Sequence, residues 1–544
     1  MKLVTWFVAA GTLLSPLTAL AALPAGAPDA GRLLREQQLP VAPPTPAPAL
    51  PDPGAAGPLV APGGTQVQLV AVRFTGNTMF SEAQLQREVA DAVGKTHDLA
   101  SLYALAERIT AHYRSSGFAF AKAIVPAQGL SQGVLTIQVL EGRFGAREVV
   151  VDDAGHAAQA SRFLDRLQAG QPIYAPLLER QALLLNDQPG YSALPVMRPG
   201  RATGEGDLQV KLNRLSPVAG SVSLGNQGNR YTGYNLARAS LAWRSPFRFG
   251  DQLRLDLMQS DENLRSVSLN YAMPLGSDGW RMNVGYGHTQ YELAREFASL
   301  RASGVAQTVS AGVSYPMLRS RFANVTFSAT AQHKRFYDEQ LSVGARQHKG
   351  SDSAVLALSM DRTDGAGVTY GSVSMTQGRF NAPADTPDTG RVNGRFQYLS
   401  MDVARVQRLT QQLSLYARVN AQKAFDNLDG SESFLISGAY GVRGYPSGEG
   451  TGDEGMLGQL ELRYTQDRLQ PYVFLDVGRV RLEHTMTAPG KSHRSLSGTG
   501  VGVRFQHQAW SMDAQLARRL VGGVPQTDPR DEAWRLWLMV SYAF

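Results

Sequence analysis

An arginine and an aspartate near the carboxyl end of the chain have the residue types and the setting for one specific polar contact. Arg443 lies in a long glycine-rich connection, and Asp476 lies in an alternating segment further along the chain. A guanidinium and a carboxylate can share two parallel hydrogen bonds, and the contact is stronger where water is partly excluded. The residue pattern alone also allows an alternative without this contact, in which Arg443 is a surface residue and Asp476 is a solvated charge. Each belongs to a short motif: Val442, Arg443, Gly444 and Tyr445 in the first, and Phe474, Asp476 and Gly478 in the second.

The second motif lies in a segment whose side chains alternate with a period of two, which predicts a β-strand. Phe474, Asp476 and Gly478 fall on one face, and the valine and leucine residues between them fall on the other. We therefore expect Asp476 to face an aqueous lumen and the aliphatic face to contact lipid.

The final segment of the chain shows the same alternation and ends on an aromatic residue. Its apolar face carries Leu536, Leu538, Val540, Tyr542 and Phe544. A terminal strand that is apolar on one side and ends on phenylalanine is a feature of outer-membrane β-barrels. Tyr542 and Phe544 are therefore predicted to form a carboxy-terminal assembly signal for the barrel-assembly machinery.

Sixteen alternating segments between residues 214 and 544 predict a closed transmembrane β-barrel. Alternate connections are short, such as 363–365 and 467–468, whereas those between them are mostly long, such as 335–350 and 425–454. Short turns at one rim and long loops at the other are typical of membrane barrels. Polar residues on strand after strand predict a wet lumen.

The composition excludes several other classes of protein. The chain has 544 residues and no cysteine, so disulfides and cysteine-ligated metals are excluded. The net charge of +7 comes from basic residues interspersed singly among acidic ones, and this pattern argues against nucleic-acid binding. No internal segment approaches the roughly 20 apolar residues of a membrane helix. No phosphate loop or spaced Ser/His/Asp set is evident, so we expect neither a cofactor nor catalysis.

The amino-terminal region predicts an exported protein. Residues 1–21 combine a lysine, an apolar stretch and small residues at a cleavage site, which predicts a signal peptide. Residues 22–39 include a short amphipathic helix with Leu33 and Leu34, a candidate plug, although a disordered leader is an equal alternative. A proline- and alanine-rich linker follows at 40–65.

Two small α/β modules are predicted between the linker and the barrel, at 66–142 and 143–213. Strand alternation and the helical spacing of apolar residues give each module the order strand, helix, helix, strand, strand (β-α-α-β-β). Among these elements are a strand at 118–125 in the first module and a helix at 160–167 in the second. The predicted fold class is therefore mainly β, with two α/β modules before a 16-stranded barrel.

These features resemble the outer-membrane transporters of two-partner secretion systems, of the haemolysin-activator and haemagglutinin-exporter type. Five segments resemble the two polypeptide-transport-associated (POTRA) domains of that family: 74–78, 124–128 and 133–142 in the first, 183–190 and 194–200 in the second. The motifs around Arg443 and Asp476 resemble the family's inward-folding loop and the strand that receives it. The resemblance implies that Arg443 and Asp476 pair inside the lumen.

The resemblance also implies a location, a partner and a mechanism. The barrel would lie in the outer membrane of a Gram-negative bacterium, surrounded by outer-membrane lipid, with the POTRA domains in the periplasm. The partner would be a large secreted β-helical protein: an adhesin, a haemolysin or a contact-dependent toxin. The chain would recognise it in the periplasm and pass it unfolded to the cell surface. A barrel-assembly factor of the same superfamily and a general porin-like channel are the alternatives.

Overall fold

The computed structural model describes most of the chain. It covers residues 28–44, 63–151, 154–383, 392–486 and 489–544. The predicted signal peptide and the middle of the predicted linker lie outside the described residues.

A short helix and a first α/β module lead the described chain. Their elements are α1 (Ala30–Glu36), β1 (Val67–Gln68), β2 (Ala71–Thr75), α2 (Glu82–Val89), β3 (Thr96–His97), α3 (Leu99–Ser115), β4 (Lys122–Ile124) and β5 (Val134–Leu140). Strand β5 is central in a three-stranded sheet, parallel to β2 and antiparallel to β4. Helix α2 begins at a capping box, in which Ser81 and Gln84 exchange hydrogen bonds between side chain and main chain. Helices and sheet enclose a core that includes Leu85, Ile109 and Ile137.

A second module repeats this order of elements. They are β6 (Arg143–Val150), α4 (Ala154–Ser161), α5 (Ala175–Asn186), β7 (Tyr191–Pro199) and β8 (Glu205–Arg214), and the sheet order is β6–β8–β7. Two predicted bounds are wrong. The strand predicted at 118–125 is reduced to β4, because the left-handed Gly117 turns the chain and Phe118 packs into the core. The helix predicted at 160–167 begins earlier, at Ala154. None of the described helices is long and apolar enough to cross a membrane.

Sixteen antiparallel strands close a barrel in the carboxy-terminal part of the chain, and β26 completes the cylinder by pairing with β9. They are β9 (Val218–Gly225), β10 (Leu236–Arg244), β11 (Gln252–Ser260), β12 (Arg265–Pro274), β13 (Arg281–Glu292), β14 (Ala302–Arg319), β15 (Ala323–Gln340), β16 (Ala345–Thr363), β17 (Gly367–Asn381), β18 (Gly394–Arg408), β19 (Leu413–Ala424), β22 (Glu454–Tyr464), β23 (Leu469–Arg481), β24 (His493–His507), β25 (Trp510–Val521) and β26 (Trp534–Ala543). Two short strands, β20 (Phe434–Leu435) and β21 (Thr451–Gly452), pair within the longest connection.

The two faces of the barrel strands differ as the alternation predicts. Val473, Leu475 and Val477 point outward and are exposed in the isolated chain, so this face is the one that contacts hydrocarbon. Strands β14–β17 are longer than the alternating segments that predicted them. The loop predicted at 335–350 continues β15 and β16, which are joined only by residues 341–344. Neither face of β15 or β16 is apolar in this added part, so the alternation that marks the rest of each strand stops there.

The second module is fixed to the end of the barrel that carries the short turns. Phe249, in the turn between β10 and β11, inserts into the module's core, with its ring centroid 6.1 Å from that of Phe163 and 4.9 Å from that of Tyr191. Arg319, at the end of β14, donates two hydrogen bonds to the Asp187 carboxylate, at 2.6 and 2.7 Å. An apolar anchor and a bidentate ion pair therefore hold the module against the barrel.

A buried glutamate joins the two modules to each other. The Glu141 carboxylate accepts hydrogen bonds from the Thr78 and Met79 amides and the Thr78 hydroxyl, at 2.5–2.8 Å. Arg143, at the start of the second module, donates to Glu141 at 2.9 Å. Burial opposes ionisation of Glu141, but these hydrogen bonds outweigh it and hold the pKa of the carboxyl below its usual range. The glutamate is therefore charged and bridges the junction.

We expect Phe249→Ala to loosen the second module from the barrel. The substitution removes a side chain that is 2% exposed and leaves a cavity beside Tyr191, at a cost of about 3–5 kcal/mol. Limited proteolysis should then cleave the modules faster while the barrel stays resistant. Phe247→Ala is the matched control, because Phe247 lies in the same turn but is 70% exposed. Equal cleavage of the two variants would contradict the docking role of Phe249.

Candidate functional site

The connection between β19 and β22, residues 425–453, packs inside the barrel, and we call it the inner loop. Its first motif is buried: Val442 and Tyr445 have no exposed surface and pack with Ile436, also of the loop, against Val480 and Leu496 of the wall. The β20–β21 pair closes the base of the loop. The structure therefore brings the motif around Arg443 against the strand that carries Asp476.

Arg443 and Asp476 form a bidentate ion pair in the lumen. Arg443 Nε donates to Asp476 Oδ2 at 2.8 Å, and Nη2 donates to Oδ1 at 2.6 Å. The Arg443 main-chain N–H donates to the same carboxylate at 3.1 Å. The guanidinium carbon lies 3.6 Å from the centre of the Phe474 ring, a cation–π contact. The side chains are 2% and 0% exposed, so water screens this pair little.

Glu461 on β22 gives the Arg443 guanidinium a second carboxylate. Arg443 Nη1 donates to Glu461 Oε1 at 2.6 Å. Glu461 also contacts Arg463 at 2.7 Å and Arg504 at 3.1 Å, and it is itself almost fully buried. Asp476 has no second cation among the described residues, whereas Glu461 has three. Loss of Arg443 would therefore leave Asp476 as the uncompensated charge.

Two glycines of the motifs permit the close approach of loop and wall. A Cβ atom at Gly444 would lie 2.8 Å from the Cα of Arg519, and one at Gly478 would lie 2.9 Å from the Cβ of Ile436. Both distances are shorter than van der Waals contact, so a side chain at either position would push the loop from the wall. Tyr445 completes the contact, with its hydroxyl 2.9 Å from the Val521 carbonyl oxygen.

The last strand of the barrel also contacts the inner loop. Trp537 Nε1 on β26 donates to the Arg443 carbonyl oxygen at 2.8 Å. This strand forms the seam of the barrel, and it pairs with β9 only over 539–543 and 221–225. The Asn226 and Gln227 side chains lengthen the seam by donating to main-chain carbonyls of β26, each at 2.8 Å. The ion pair, the inner loop and the seam are thus in direct contact.

The two residues of the predicted assembly signal lie at the same seam and face outward. Phe544 exchanges two main-chain hydrogen bonds with Gly220 of β9, each 2.9 Å long. The Tyr542 ring lies 4.9 Å from that of Trp510, centroid to centroid. The terminal aromatics therefore take part in closure of the barrel.

Helix α1 lies in the lumen, against the inner face of β13–β15. Leu33 is buried in a cluster of aromatic wall residues that includes Tyr291, Phe336 and Phe380, and Leu34 packs at its edge. Ala30–Glu36 therefore form a helix inside the barrel, whereas residues 22–27 of the predicted segment lie outside the described residues.

A cluster of charges holds the amino-terminal end of helix α1. The Asp29 carboxylate caps the helix by accepting from the Arg32 amide, and it pairs with Lys349 Nζ on β16 at 2.6 Å. Lys349 also lies 3.4 Å from the Asp429 carboxylate of the inner loop. The Ala30 amide donates to Asp338 of β15 at 3.0 Å. One lysine of the wall therefore contacts carboxylates of both the helix and the loop.

The polar face of helix α1 is turned toward the inner loop. Arg32 donates to the Gly448 carbonyl oxygen, and Arg35 donates to the Ser433 carbonyl oxygen at 3.0 Å. Glu36 accepts from Asn229 at 3.1 Å. The helix is therefore held between the wall and the inner loop.

Several residues of this site were not anticipated from the sequence. Glu461 and Trp537 sit on alternating strands, where a polar lumen face is expected and no residue stands out. One signal was available for Glu461, since it lies on the lumen face of the strand directly between the two motifs. For Lys349 there was none, because the sequence predicted a loop at that position.

Comparison with known proteins identifies the chain's relatives. The family described as haemolysin secretion/activation protein ShlB/FhaC/HecB matches residues 204–505, more than half of the chain, and the POTRA domain of ShlB type matches 67–142. The heme/hemopexin transporter protein HuxB of Haemophilus influenzae is 27% identical over 510 residues, which cover 88% of this chain and 87% of HuxB.

Solved structures show the same fold. CdiB from Escherichia coli superposes with a TM-score of 0.73 at 20% identity, covering 91% of this chain and 94% of its own. CdiB from Acinetobacter baumannii superposes with a TM-score of 0.66 at 21% identity, covering 92% of this chain and 95% of its own.

We expect Arg443→Ala to release the inner loop while the barrel stays folded. Asp476 would remain buried without a cation, and the loss of a buried partner costs about 3–5 kcal/mol. Hydrogen exchange of amides in 436–447 should report a lower free energy of local opening by that amount.

Two further variants complete this test. The double variant Arg443→Met/Asp476→Leu should lose less than the sum of its single variants, because neither charge is left alone. Arg254→Ala is the control, since the Arg254–Asp256 pair is exposed and contributes about 0–1 kcal/mol. Unchanged exchange in Arg443→Ala would show that the ion pair does not hold the loop.

Proposed function

Because the chain belongs to the haemolysin secretion/activation protein family (ShlB/FhaC/HecB), we propose that its barrel carries one large secreted partner and that the inner loop and helix α1 together keep it closed at rest. The chain is a two-partner secretion transporter of the outer membrane, with its POTRA domains in the periplasm. The observation that carries the closure proposal is the buried contact of Arg443 with Asp476 and Glu461.

We divide the chain into functional parts on this basis. They are a signal peptide (1–21), a plug segment (22–39), a linker (40–65), two POTRA domains (66–142 and 143–213) and the barrel (214–544). The linker between helix α1 and the first POTRA domain is long enough, at up to about 3.3 Å per residue, for the helix to leave the lumen while tethered.

The POTRA domains are the proposed place of partner recognition. In both three-stranded sheets one long strand is central, and the outer strands leave free edges: β2 and β4 in the first, β6 and β7 in the second. An extended peptide can add to such an edge through main-chain hydrogen bonds, which bind without demanding much sequence. Leu194 and Val196 are exposed on β7, so this edge also offers apolar contacts. An unfolded secreted protein supplies both kinds of group.

Opening requires that the plug and the inner loop release each other. Lys349 is the shared contact, since it pairs with Asp29 of the plug and lies near Asp429 of the loop. A partner chain that enters from the periplasm would compete for the lumen space of helix α1. The transport step involves no chemical reaction, and folding of the partner outside the cell is the proposed driving force.

The partner is proposed as a class. It is a large secreted protein with a repetitive β-helical fold, such as an adhesin, a haemolysin or a contact-dependent toxin. Related transporters carry names that refer to heme/hemopexin and to hemolysin. Tyr542 and Phe544 are proposed as the signal by which the barrel-assembly machinery inserts this chain, since they end the strand that closes the cylinder.

We expect Lys349→Met to open the resting channel. Asp29 and Asp429 would lose their common cation, and helix α1 would be held less firmly. Planar-bilayer recordings should show a larger mean conductance and more frequent opening than in the unaltered protein. Lys423→Met is the matched control, because Lys423 pairs with Glu454 on the outer face and is 56% exposed. A closed Lys349→Met channel would remove this lysine from the closing mechanism.

Removal of residues 66–142 is expected to abolish secretion of the partner while the barrel still inserts. The recognition edges of the first POTRA domain would be gone, whereas the second domain would keep its Phe249 anchor. Secretion is measured as partner protein in the medium, and barrel folding as the heat-dependent shift on gel electrophoresis. Undiminished secretion would end the role assigned to this domain.

A further inference from the structure

The outward face of strands β14–β18 changes from apolar to charged over two residue rows. The short turns and the docked POTRA domains mark the periplasmic end, so the opposite end faces the cell surface. The paired register defines an apolar row of Val313, Ala329, Leu356, Met375 and Leu399. The next outward-facing row toward the cell surface contains Ala311, Ala331, Ala354, Gln377 and Gln397.

The next outward row, which we call the basic row, contains His333, Asp352, Arg379 and Arg395. Arg335 lies one further outward position beyond His333 on the same strand. The basic row therefore lies where the apolar band ends on the surface side, at the height of lipid headgroups in the outer leaflet.

The two arginines of the basic row are directly opposite each other on neighbouring strands. Arg379 of β17 and Arg395 of β18 are register partners, and both are exposed. Like charges directly opposite are destabilising. Neither arginine has an ion pair or side-chain hydrogen bond with any residue that the structure describes. Asp352 is the register partner of Arg379, but its carboxylate contacts the His333 ring at 2.6 Å instead.

Elsewhere on the outward face, two basic residues share one acidic partner. Lys423 lies 2.6 Å and Arg481 lies 3.5 Å from the Glu454 carboxylate. Arg379 and Arg395 thus lack, in the part of the chain that the structure describes, a carboxylate like the one that neutralises Lys423 and Arg481.

A shallow, open depression lies beside the two arginines, and His333 and Asp352 also line it. It has a volume of about 680 Å³, and both arginines are among its lining residues. Its floor is formed by Ala311, Ala331 and Ala354, whose small side chains leave a hollow in the lipid-facing surface. A hollow of this kind, with cations at its surface end, matches a molecule that has acyl chains below an anionic headgroup.

We propose that Arg379 and Arg395 bind the phosphate of a phosphorylated outer-leaflet lipid, of lipid A type, whose acyl chains lie over the alanine floor. A phosphate between the two guanidinium groups accepts charge-assisted hydrogen bonds from both and removes their mutual repulsion. Three arginines and one aspartate give this patch a net positive charge with His333 neutral. The inference rests on the outer-membrane location and is independent of the partner and of the closure mechanism.

The test measures binding of lipid A to the full-length protein. Detergent-purified protein is titrated with bisphosphorylated lipid A and bound lipid is counted by native mass spectrometry. Arg379→Gln/Arg395→Gln should bind roughly 30-fold more weakly, on the basis of the contribution of two basic side chains to an anionic lipid. The control Lys423→Gln/Arg481→Gln removes two outward charges that already have a carboxylate, and it should bind as the unaltered protein does.

Two further arms identify the source of the phosphate. Dephosphorylated lipid A should bind to the unaltered protein as weakly as lipid A binds to the double variant, and inorganic phosphate at equal concentration should not compete. Without lipid, the melting temperature of the double variant should be no lower than that of the unaltered protein, because the variant lacks the repulsion between the two arginines. Equal binding by the double variant, equal binding of the dephosphorylated lipid, or full competition by inorganic phosphate would overturn the proposal.

Discussion

A single arginine that is held between two carboxylates fixes the inner loop against the wall of the barrel. The Arg443 guanidinium contacts Asp476 and Glu461, and its main-chain carbonyl accepts from Trp537. Water screens such a contact little, and Asp476 has no other cation among the described residues. The inner loop therefore has one well-defined position, and helix α1 and the barrel seam are arranged around it.

The closed lumen contains two segments that stabilise each other. Helix α1 buries Leu33 against the wall and turns Arg32 and Arg35 toward the inner loop. Lys349 contacts carboxylates of both segments. Displacement of one segment therefore weakens the other, which provides a physical basis for cooperative opening. The second POTRA domain has fixed contacts with the barrel at the periplasmic end.

The outer surface of the barrel is not uniform either. Most of its surface is an apolar band, but the alanine floor and the opposed Arg379 and Arg395 form a local feature on one side. It lies on the far side of the β14–β18 wall from helix α1, which contacts β14 and β15 from within. These strands thus contact helix α1 on one face and carry the proposed lipid site on the other.

The sequence alone predicted the sixteen strands, the two α/β modules and the motifs around Arg443 and Asp476, because alternation and turn spacing are local properties. It did not predict the extensions of β15 and β16, where the chain leaves the hydrocarbon and no apolar face remains. Nor did it predict Glu461 or Lys349 as partners, since Glu461 is one polar residue among many on a lumen face and Lys349 lies in the extension of β16. Which of these charges come into contact was decided only by closure of the cylinder. Contact across a barrel depends on the register of every strand pair between the two residues.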